Sequence, residues 1–121
     1  MSFAATVRDS QLVYLESQSL LLAMKGIKIA VEQVEGTCPV FEQGDEIIIE
    51  GAALNLEKTD AYCVWASSSW MPYLLAIRSG VPANEIGLSH EKDTYYVQCL
   101  DPGKPYTSGG TVVFKIQRLS D

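Results

Sequence analysis

The sequence predicts an α+β domain: a mainly antiparallel four-stranded sheet packed on a kinked central helix, with an N-terminal helix ahead of it. Two observations predict it. Strand-like apolar stretches stand at residues 27–32, 45–50, 94–100 and 111–119, and one long helical stretch, residues 60–80, lies between the second and third of them. The order helix, strand, strand, helix, strand, strand then belongs to a sheet whose helices are segregated from it.

Residues 1–25 read as an N-terminal helical extension and residues 26–121 as a single α+β domain. Within the extension, SQLVYLESQSLLLAMK begins at a cap offered by Asp9 or Ser10 and stops at Gly26. Leu12, Val13, Leu15, Leu20, Leu21, Leu22 and Met24 make a stripe wider than the roughly 100° that a lone surface helix needs. The surplus calls for a partner surface, either the rest of the domain or a second copy of the chain. A homo-oligomer is therefore expected.

Next, Ile27, Ile29 and Val31 alternate with Lys28, Ala30 and Glu32, which is a strand's period. GTCPVFEQG forms the turn region, and DEIIIE, with its unbroken isoleucine run, reads as a strand buried on both faces. These two strands pair as an antiparallel hairpin with a long connection.

Residues 60–80 hold Trp65, Trp70 and Cys63. Thr59 or Asp60 can cap the start, Arg78 suits the last turn, and Gly80 can take the left-handed closing conformation. Pro72 has no amide hydrogen, so a kink, or two short helices meeting near Ser69, is expected. The adjacent Ser67, Ser68 and Ser69 can satisfy carbonyls freed there. After it, Pro82 can open one more helical turn through PANEI. Residues 94–100 and 111–119 finish the sheet, joined by the Pro- and Gly-rich loop DPGKPYTSGG. Gly109 and Gly110 do not belong to a phosphate loop, because no strand-to-helix motif surrounds them.

A chain of 121 residues can bury one core without disulfide staples. Its net charge of −6 opposes binding to a phosphate backbone, so no nucleic-acid partner is expected. No stretch reaches the roughly 18 apolar residues of a membrane span, and no basic run marks a membrane surface. A cytoplasmic protein is expected. Three cysteines, an odd number, fit reduced thiols or metal ligands there.

GTCP, GDEIIIEG, PYLLAIRSGV, NEIGL and CLDPGKPYTSGGTVVFKI together resemble a small uncharacterised prokaryotic family that carries three cysteines in similar places. The resemblance runs from about residue 24 to 119. It implies the same fold and draws notice to Cys38, Cys63 and Cys99, but the family has no assigned activity. Relatives carry Gly-His-Lys where this chain has Phe41, Glu42 and Gln43, and a proline where it has Leu100.

A soft metal such as zinc, or another thiolate-bound metal, wants four ligands, and Cys38, Cys63 and Cys99 with His90 or Asp101 would supply them. The same cysteines are equally suited to an apolar core. A third use is nucleophilic: Cys63 near a helix start, or Cys38 in a turn, with His90 as the single histidine available as a base. Tyr62, Trp65, Trp70 and Tyr73 are candidates to line a ligand pocket, and their helical spacing equally suits a core. These residues point to a binding or accessory protein that takes a protein partner or small ligand, with structural or metal-holding cysteines. The alternatives are a thiol-dependent enzyme using Cys63 or Cys38, and an oligomeric assembly subunit recruited through the N-terminal helix.

Overall fold

The period-two pattern that starts at Gly26 becomes the longest strand, β1 (Gly26–Glu35), which buries Ile27, Ile29 and Val31 on one face. The structure is a computed structural model that describes residues 26–119; the helix expected over residues 10–25 lies outside them. β2 (Glu46–Glu50) runs antiparallel to β1, with Ile27 opposite Ile49 and Ile29 opposite Ile47. Ile47 and Ile48 point to opposite faces and both are buried, as the isoleucine run predicts.

The sheet has five strands, not four. After Gly51 turns the chain with φ of 61°, β3 (Ala53–Leu54) pairs back onto β2. Two residues carry no alternation, so this strand leaves no periodic trace in the sequence. β4 (Thr94–Gln98) and β5 (Thr111–Arg118) complete an antiparallel sheet of order β3-β2-β1-β5-β4. A bulge between Val31 and Gln33 interrupts the β1–β5 register.

The long helical stretch is broken as Pro72 requires: α1 (Val64–Trp70), a 3₁₀ turn (Met71–Tyr73) and α2 (Leu74–Arg78). Its buried residues are Ala66, Trp70 and Ile77, at helical spacing across the break. Gly80 closes it with φ of 81°. The three serines bond to carbonyls one turn back, at Val64, Trp65 and Ala66, upstream of the proline.

Neither Thr59 nor Asp60 caps the helix; Cys63 does. Thr59 accepts from the Ile48 amide at 3.1 Å and Asp60 from the Glu46 amide at 2.9 Å. With β3 only two residues long, much of the outer edge of β2 lacks a strand partner, and these side chains close it. PANEI likewise forms turns rather than a helix, with the Glu85 amide donating to the Pro82 carbonyl.

Helix end and sheet are pinned by Arg118, whose Nη1 donates to the Ile77 carbonyl at 2.9 Å and to the Tyr95 hydroxyl at 3.0 Å. No helix among the described residues is long and apolar enough to cross a membrane.

Candidate functional site

Three separate segments carry the cysteines to one place. The first is the loop after β1. Gly36, Gly109 and Gly110 all have positive φ, and the amide of Gly110 donates to the Glu35 carbonyl at 2.8 Å. A Cβ on Gly110 would stand 2.7 Å from the Thr37 carbonyl oxygen. Only glycine lets the two loops press together this closely.

Phe41 anchors the same loop from below. It is buried and meets Phe114 edge to face, ring centroids 5.4 Å apart. The turn so formed aims two backbone amides at sulfur: Cys38 Sγ accepts from Val40 at 3.5 Å and from Phe41 at 3.4 Å. The second cysteine, Cys63, caps α1 and accepts from the Ala66 amide at 3.4 Å. Cys99 follows β4; its Sγ accepts from the Val112 amide at 3.2 Å and lies 3.9 Å from the Gly110 carbonyl.

Cys38, Cys63 and Cys99 are all half-buried, all free of disulfides, and all walls of one cavity of about 360 Å³. Its rim is apolar and open, formed by Val40, Trp65 and Leu100, each of them exposed. Asp101 lines the cavity too. Its Oδ1 accepts from the Thr107 hydroxyl and from the Gly103 amide. The Thr107 bond first, then the Gly103 bond, hold its carboxyl below the usual carboxylate value, against a smaller opposing effect of desolvation.

Not every candidate arrives there. His90 is exposed and is not a wall of the cavity. Glu42 is also exposed, and its amide is turned to Asp45. Among the described residues no group of three or more His, Cys, Asp or Glu side chains is arranged to hold a metal ion.

The aromatic set divides. Trp70 is wholly buried and meets Tyr62 edge to face at 5.8 Å, whereas Tyr62 and Tyr73 are exposed at 37% each and Trp65 at 75%. Trp70 and Tyr62 line a second cavity, an apolar groove of about 420 Å³ whose walls include Ile27, Leu54, Leu74 and Leu75. Trp65 belongs to the cysteine cavity instead. The signal for this was in the helix phase: Ala66, Trp70 and Ile77 share the inward face, which leaves Trp65 off it.

No family model, curated protein or solved structure matches this chain.

Proposed function

We propose that this is a small binding protein that takes a thiophilic group, a soft metal ion or compact metal cofactor, between Cys38, Cys63 and Cys99. One observation carries the reading. Three cysteines separated by 25 and 36 residues meet at a single cavity, and each sulfur accepts at least one backbone N–H. Filling a core does not require cysteines to converge. Amide donors to sulfur are the outer-shell contacts that support a metal-bound thiolate, because hydrogen bonds to an ionised acceptor are roughly twice as strong as neutral ones.

Asp101 on the same wall supplies an oxygen as a fourth donor, the role that exposed His90 does not fill. The thiols do not surround a single point as they stand. Binding therefore turns them inward about their Cα–Cβ bonds, or engages a group large enough to span them. Free thiols suit a reducing compartment and support a cytoplasmic location on this reading.

Elemental analysis of freshly purified full chain, with thiols counted before and after denaturation, tests this. The expected result is about one bound equivalent per chain, three thiols shielded until unfolding, and loss of the metal in Cys63→Ser. Metal-free protein whose thiols stay shielded even so, or one thiol reacting far faster than the others, would overturn it; the second outcome would mark a nucleophile.

A further inference from the structure

The apolar groove shares no wall residue with the thiol cavity. Its volume of about 420 Å³ falls within the roughly 300–1,000 Å³ of small-molecule sites, and its walls have their composition, apolar side chains with very few polar groups. Two of those polar groups lack a partner among the described residues. Arg78, the one charged wall residue, makes no ion pair. Glu50, which precedes the wall residue Gly51, is already engaged: its Oε1 accepts from Asn55 at 3.0 Å and lies 3.9 Å from the Lys58 ammonium. Trp70, wholly buried, has an indole N–H with no acceptor. Guanidinium and indole are donors only, so both lack the same thing, an acceptor oxygen.

We infer that the groove binds a small amphipathic carboxylate. Its apolar body lies against Ile49, Leu54 and Leu75, the last 75% exposed on the helical side, and its head group pairs with Arg78. A carboxylate matches the planar fork of one guanidinium. A ligand of higher charge would need further cations, which these walls do not offer and a chain of net charge −6 opposes. Arg78 is the anchor, because Trp70 lies beneath the surface. Met71, next to Trp70 on the wall, is 49% exposed and has three rotatable bonds, so it can turn aside to admit an oxygen to the indole.

Nuclear magnetic resonance of the isotope-labelled full chain, titrated with decanoate below its micelle concentration, tests this. Decanol is the uncharged control, and Trp65→Phe assigns the two indole N–H signals. The expected result is a saturable shift of the Trp70 signal with decanoate and none of the Trp65 signal, which belongs to the thiol cavity. Decanol should bind about tenfold or more weakly, since it lacks the charge-assisted pair, and Arg78→Met should abolish that preference. Three results would overturn the inference: no saturable shift at Trp70, equal affinity for decanoate and decanol in the native chain, or decanoate affinity unchanged in Arg78→Met. Light scattering of the same samples adds a fourth, a doubled mass without ligand that Leu75→Asp halves, which would make a second copy of the chain the occupant.

Discussion

A methyl group on Gly110 would come within 2.7 Å of the Thr37 carbonyl oxygen, so the backbone of the last loop lies directly on the loop that carries Cys38. The cysteine cavity is assembled by that contact, not by either loop alone.

Gly110→Ala is therefore expected to cost more than conformational strain. Gly44 has a similar φ, 92° against 98°, but open space where a Cβ would stand, so Gly44→Ala isolates the backbone cost of about 1–3 kcal/mol. Urea unfolding of the two variants should show Gly110→Ala the less stable, and thiol accessibility should rise at Cys38 in that variant alone. Equal destabilisation would mean that the loops part at no cost.

Arg118 bridges the end of α2 and strand β4. Arg118→Met keeps the aliphatic stem but removes two charge-assisted hydrogen bonds, while the Ile77 carbonyl keeps the Gly80 amide and the Tyr95 hydroxyl keeps the Val81 carbonyl, for an expected loss of about 1.5–3 kcal/mol. Asp93, the ion-pair partner, is 77% exposed in its side chain, so Asp93→Asn should cost less than about 1 kcal/mol. Thermal melts should separate the two by several degrees.

The two tryptophans make opposite forecasts. Trp70→Ala empties the core and should cost about 3–5 kcal/mol, whereas Trp65→Ala should leave stability within about 0.5 kcal/mol. If Trp65→Ala also unfolds the protein, its place on the rim of the thiol cavity is wrong.

Asp101 has a lowered carboxyl pKa in the fold, so its contribution to stability is present above the unfolded value near 3.8 and is lost as pH falls through the lower folded value. The stability difference between the native chain and Asp101→Asn should hold from pH 7 to about pH 5 and shrink as pH falls below about 4. A difference that grows on acidification would contradict the Thr107 and Gly103 bonds as its cause.

Local chemistry was legible and long-range chemistry was not. Pro72 announced the broken helix and Gly80 its end, because both act through their own backbone. The cap falls at Cys63 and not at Thr59 or Asp60, whose oxygens are engaged on the edge of β2, a contact that no local pattern shows. β3 is too short to have a period. Cys38, Cys63 and Cys99 could be named as candidates, but their meeting depends on the sheet order and on the fit of Gly36 against Gly110. His90 stands out in the sequence as the single histidine, yet it is an exposed loop residue and not a wall of the cavity. Asp101, by contrast, follows Cys99 by two residues and arrives with it.

A shared thiol site can be read out by titrating reduced, metal-free full chain with cadmium(II) and following the ultraviolet charge-transfer band of thiolate–cadmium bonds. The expected result is a band that saturates near one cadmium per chain with an intensity proportionate to three thiolates, and that falls by about a third in each of Cys38→Ser, Cys63→Ser and Cys99→Ser. A band that never saturates, or one that any single substitution leaves untouched, would show that the three cysteines share a cavity without sharing a ligand.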